Sequence, residues 1–119
     1  MRFFAITNLS FLLLAGCANI SDTRNTHPVL SISSKKPAKD VAQCIRDGWQ
    51  NVSVWGAGIG GTLQESSGSY TVIAPDAQTP WHLVDISPSP KGSTIKYYFY
   101  REWQSPLDRI KNAVIGCAG

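Results

Sequence analysis

Ile95-Lys96-Tyr97-Tyr98-Phe99-Tyr100-Arg101 is the stretch that decides the fold. Every second side chain of an extended strand points the same way. Ile95, Tyr97, Phe99 and Arg101 therefore share one face, and Lys96, Tyr98 and Tyr100 share the other. β-branched and aromatic residues in this alternation predict a strand over 94–101. The same enrichment predicts strands over 50–55, 69–74 and 81–86. Clusters of Gly, Ser, Pro and Asp separate them, at Gly56 to Gly61, at Ser66-Ser67-Gly68, at Pro75 to Pro80 and at Ser87 to Ser93. These connections are too short to hold the helices that parallel strands require. The expectation is a four-stranded antiparallel meander.

Helices are expected on either side of it. Pro37 suits a first helical position, because its missing N–H would have no partner there. Val41, Cys44, Ile45 and Gly48 then recur at helical spacing, with Lys39, Asp40, Gln43, Arg46 and Asp47 on the opposite face. Gly48 is a plausible stop. At the other end, Ser105-Pro106-Leu107-Asp108 reads as a cap, a first-turn proline and a first-turn carboxylate. Leu107, Ile110, Val114 and Cys117 form the apolar stripe that follows. The fold class is α+β: helix, meander, helix, with both helices on one sheet face. Residues 37–119 form the globular domain.

The N-terminus has a different character. Arg2 supplies a positive start, Phe3 to Leu14 is largely apolar, and Leu14-Ala15-Gly16-Cys17 closes the run. The run is too short to span a bilayer, which needs about 20 apolar residues. A charged start, an apolar stretch and small residues are the order of a secretory signal. With a cysteine directly after the small pair, the segment resembles the lipobox of bacterial lipoproteins, over residues 1–18 alone. The resemblance implies removal of residues 1–16, lipid on the Cys17 thiol, and usually a further acyl chain on the new N-terminus. Ala18 stands where a retention aspartate would, which implies the outer membrane in a Gram-negative host. Two or more chains give stable anchoring, each buried methylene contributing about 0.8 kcal/mol. Residues 17–36 are expected to be the acylated cysteine and a flexible tether. About 19 flexible residues have an rms reach near 24 Å. Val29-Leu30-Ser31-Ile32 is the one piece of the tether that could pair as an edge strand.

Assigning Cys17 to lipid leaves Cys44 and Cys117, an even pair in an exported chain. An oxidising compartment allows a disulfide between them. No Cys-x-x-Cys spacing competes for the pair. A bridge closing a loop of about 70 residues is worth roughly 4 to 5 kcal/mol on the chain-entropy argument. A small domain is stable by only about 5 to 15 kcal/mol in total.

Chemistry-bearing motifs are few. Gly56-Ala57-Gly58-Ile59-Gly60-Gly61 matches G-x-G-x-x-G, but dinucleotide binding needs a helix to follow. Thr62 to Tyr70, with Ser66, Ser67, Gly68 and Ser69, is poor helix. A hairpin loop, or a contact loop exposing backbone at Gly58 and Gly60, fits better. His27 falls in the tether. His82 lies between Trp81 and Leu83, and Asp85 points to the opposite face. No catalytic set, metal site or cofactor is expected. The formal charge of +3 is a mild excess, not the field of a nucleic-acid binder. The aromatics are the remaining signal. With helices on one face, Tyr98 and Tyr100 are left on the open one, with Trp55 alternating similarly, and exposed aromatics mark interfaces. The functional expectation is an envelope lipoprotein that binds an envelope protein or surface component without catalysis. A small inhibitor or phage-exclusion lipoprotein, and a small periplasmic hydrolase, are the alternatives.

Overall fold

The computed structural model describes residues 19–54 and 57–119. In chain order the elements are α1 (Ile20–Arg24), β1 (Leu30–Ser34), α2 (Ala38–Asn51), β2 (Ser53–Val54), β3 (Ala57–Gly58), β4 (Thr62–Ser66), β5 (Ser69–Asp76), β6 (Thr79–Ser89), β7 (Gly92–Phe99) and α3 (Asp108–Ala118). The class is α+β. β4 to β7 form the antiparallel meander, and β1 adds itself beside β7 to give a five-stranded sheet of order β1-β7-β6-β5-β4. β2 and β3 make a separate two-residue ladder.

Three of the predicted strands form where the alternation places them, within a few residues. The first does not. Residues 50 and 51 belong to α2, which runs through Gly48 and, among the described residues of that stretch, leaves Ser53–Val54 in a strand. Gly48 is no stop, since the helix passes through it, and α3 packs beside it with the Ala113 Cβ 3.6 Å from where a Gly48 Cβ would lie. β4 replaces the stretch read only as poor helix. The Ser67 and Gly68 positive-φ turn joins it to β5. The helix starts are also shifted. Pro37 is the residue before α2 rather than its first, and α3 begins at Asp108 with Leu107 as its uncapped N-terminal neighbour.

The tether is a larger correction, because the chain is folded from residue 19 onward. The Asn19 side chain accepts from the Asp22 backbone N–H, and the Asp22 carboxylate accepts in return from the Asn19 N–H. This reciprocal cap supports a helix of one turn. Leu30 and Ile32 then pair with Tyr97 and Ile95 in β1. A two-residue alternation was enough for a strand because β7 offered it an open edge.

One face of the sheet carries the main core. Val72, Ala74, Val84, Ile86, Ile95 and Tyr97 meet Val41, Ala42, Ile45 and Trp49 of α2, and Ile110, Val114 and Cys117 of α3. The α2 positions recur at the three- and four-residue spacing of an amphipathic helix. α3 packs against α2. The Trp49 indole N–H donates to the Ile110 carbonyl at 3.1 Å, and the Cys44–Cys117 disulfide joins the two helices. The bridge closes at the rim, with Cys117 buried and Cys44 exposed rather than on the apolar stripe of α2. The other face carries a smaller cluster, Ile73, Leu83 and Tyr98, packed by Ile20 of α1 and by Ala77.

Candidate functional site

All five strands bring one end to the same side of the molecule. The β5–β6 turn, the end of β7 and the starts of β1 and β4 lie there. After Phe99 the chain turns away and reaches α3 through residues 100–107. The gap between that return and the β6–β7 edge is a cleft of about 390 Å³. That is at the lower end of the range for small-ligand pockets. Ile59 and Pro75 close one side, Pro106, Leu107 and Ile110 another, and Trp81, His82, Phe99 and Tyr100 the sheet side.

Opposite strand positions place these rings. His82 pairs with Phe99 across β6 and β7, and their rings stack at 5.1 Å. One step on, the Tyr100 N–H donates to the Trp81 carbonyl at 3.0 Å, and the Trp81 and Tyr100 rings stack at 5.7 Å. The Arg101 guanidinium lies 4.9 Å from the Tyr100 ring centre and 5.4 Å from that of Trp103. Such cation–π contacts are worth about 0.5–1 kcal/mol when exposed. Trp81, Tyr100, Arg101 and Trp103 thus form a continuous ladder that runs from the cleft wall into the adjoining groove, which Trp103 lines. Trp81 is 45% exposed, Trp103 79% and Leu107 49%.

His82 forms part of the cleft wall and is otherwise enclosed. A hydrogen bond of 2.7 Å joins its Nδ1 to the hydroxyl of fully buried Tyr97. Burial pushes the imidazole down to about 4 and pushes the Tyr97 hydroxyl up. Both groups are neutral near pH 7, when removal from water disfavours their charged forms. Asp85 lies on the opposite face, as the alternation requires. There it accepts from the Arg24 guanidinium at 2.7 and 2.9 Å and from the Thr71 hydroxyl at 2.8 Å. His82 and Asp85 are therefore held apart and do not assemble a triad. Among the described residues no three His, Cys, Asp or Glu side chains cluster as metal ligands.

The residues singled out from sequence divide. Tyr100 and Gly58 are at the cleft. Gly58 admits no side chain, since a Cβ would lie 2.5 Å from the Gln50 carbonyl oxygen. Gly60 adopts φ +81°, the left-handed conformation expected of that loop, and packs on the Pro75 carbonyl. Tyr98 is the correction. It is only 8% exposed, because α1 covers the face that was expected to be open. Its hydroxyl is pushed up by burial and by the nearby Asp85 charge. Trp55 and Cys17 lie outside the described residues. Trp81, Arg101 and Trp103 join the site only through the structure. Their grouping depends on the register of β6 on β7, which pairs His82 with Phe99 and so sets Trp81 beside Tyr100.

Comparison with known proteins finds no matching family model, no matching curated protein and no matching solved structure. No helix among the described residues is long and apolar enough to cross a membrane.

Proposed function

We propose that this chain is an acylated lipoprotein of the bacterial envelope that acts by binding, and that the cleft with its aromatic rim is the contact site. The observation that carries the site is the exposed Trp81–Tyr100–Arg101–Trp103 ladder beside an apolar cleft. Exposed aromatics and arginine are the side chains enriched where surfaces are recognised. The anchor rests on Leu14-Ala15-Gly16-Cys17, with residues 1–16 removed and Cys17 carrying lipid. The histidine in the cleft wall is bonded to a tyrosine hydroxyl, and among the described residues no carboxylate bonds to it, which favours a binding role over hydrolysis.

A photoreactive residue tests the site in intact cells. Placed at Leu107 on the rim, it should give an adduct with an envelope component, protein or lipid. Placed at Glu65, exposed on β4 towards the other end of the sheet, it should give none. Trp81→Ala should strongly reduce the Leu107 adduct. Equal labelling from both positions, or a Leu107 adduct indifferent to Trp81→Ala, would overturn the assignment of the site.

A further inference from the structure

His82 gives the cleft a polar point on an apolar floor. Burial along the lining sets its depth: His82, Phe99 and Ile110 are buried, whereas Trp81 and Leu107 are half exposed at the mouth. The His82 Nδ1 is taken by the Tyr97 hydroxyl, which makes no other hydrogen bond among the described residues. Tyr97 is fully buried. Were its hydroxyl to accept from Nδ1, its own proton would be buried without an acceptor, the cost of an unmade hydrogen bond. Donating to Nδ1 avoids that cost. A neutral imidazole that accepts at Nδ1 carries its proton on Nε2. No buried side-chain nitrogen among the described residues lacks a partner. Nε2 has no protein partner among them, so it opens to the cleft that His82 lines.

The cleft is thus rich in donors and poor in acceptors. Arg101 donates to the Gln104 side-chain oxygen at 3.1 Å, which takes up that acceptor. No carboxylate lines the cleft among the described residues. A group entering this apolar interior has to bring an acceptor without a donor, since an unpaired buried N–H is costly. Most residues bring both, one carbonyl and one N–H each. Proline brings a carbonyl and an apolar ring, and has no N–H. Extended proline-rich segments dock in aromatic-lined grooves, at little cost in conformational entropy. Trp81, Tyr100 and Trp103 supply such a lining. The adjoining groove shares Arg101, Gln104 and Pro106 with the cleft and extends the path for a longer segment. We infer that the partner at the proposed contact site is a proline-rich segment of an envelope protein, packed on these rings and bonded through a backbone carbonyl to His82 Nε2–H. This rests on the cleft being the contact site.

The test uses the full-length protein, expressed with its own N-terminus and purified in detergent. Nitrogen NMR of histidine-labelled protein near pH 7 should show His82 with its proton on Nε2, a signal absent from His82→Phe. Acetyl-hexaproline-amide at millimolar concentration should shift that Nε2 signal, and a Gly-Ser peptide of equal length should not. Trp81→Ala should abolish the shift. His82→Phe, with unchanged circular dichroism, should weaken hexaproline binding by about tenfold, read from tryptophan emission. A proton on Nδ1 would overturn the inference without any variant. Equal binding of the Gly-Ser peptide would overturn it as well. Hexaproline that leaves Nε2 unmoved, while the Leu107 adduct still requires Trp81, would overturn the proline-rich partner and leave the contact site standing. A Trp81-dependent Leu107 adduct to lipid would likewise remove the protein partner alone. A Leu107 adduct indifferent to Trp81→Ala would overturn both readings.

Discussion

The two faces of the sheet alternate along the same strands, yet they are covered by different means. Val72, Val84 and Tyr97 look towards two helices of 14 and 11 residues that are bridged by a disulfide. Ile73, Leu83 and Tyr98, their immediate neighbours, look towards a helix of five residues. The first covering is held by apolar area. The second is a strap held by polar contacts, the Arg24 guanidinium donating to Asp85 and the Thr23 hydroxyl donating to the Pro80 carbonyl at 2.7 Å. The difference teaches that a small domain can concentrate its packing on one face and close the other with a short segment, provided that segment is tied down by directional bonds.

The largest effect should come from opening the stapled side. Cys44→Ala/Cys117→Ala releases a loop of 73 residues and should cost about 4 to 5 kcal/mol on the chain-entropy argument. Urea unfolding of oxidised and variant protein measures it, and an unchanged midpoint would mean that the helices need no staple. The comparison itself is sharpened by one residue type on both sides. Ile45→Ala, at a fully buried site, should cost roughly 2 to 5 kcal/mol. Ile20→Ala, at a half-buried one, should cost about 1 kcal/mol. Equal losses would erase the distinction between core and strap.

Next comes pH. The folded His82 titrates near 4, below its ordinary value of 6.5. Between those values the unfolded chain holds the proton and the folded chain does not, so stability falls as pH drops through 6.5 and levels off below 4. The full depression is worth roughly 3 kcal/mol. His82→Gln should flatten that part of the stability–pH curve. The smallest effect belongs to the strap. Its Arg24–Asp85 pair is partly solvated, at 43% and 23% side-chain exposure. Arg24→Ala should cost below about 1 kcal/mol globally, while raising hydrogen exchange at Thr23 to Thr26 selectively.

The sequence was most legible where its pattern was long. The alternation in β5, β6 and β7, the apolar spacing of α2 and the cysteine pair all carry their own signal. Leu30-Ser31-Ile32 is too short to decide between tether and edge strand by itself, and becomes a strand because β7 offers it an open edge. Asn19 and Asp22 do form a recognisable cap, but one turn of helix has no periodicity to read. For the site, Tyr100 and Gly58 were visible as an aromatic and a glycine without a cleft to belong to. Tyr98 was misplaced for the same reason that the tether was, since covering its face depends on α1. The His82–Tyr97 bond needed the register of β6 on β7, which alternation alone leaves open by any even shift.

The pairing of β1 with β7 also orders events in time. Leu30 meets Tyr97 and Ile32 meets Ile95, so the first of the described strands waits for the last. α1 waits as well, because its Thr23 bonds to Pro80 and the His27 N–H that follows it donates to Glu102. Such distant partners give a growing chain nothing local to fold onto. Residues 23–34 stay without their partners until Pro80, residues 93–97 and Glu102 are in place.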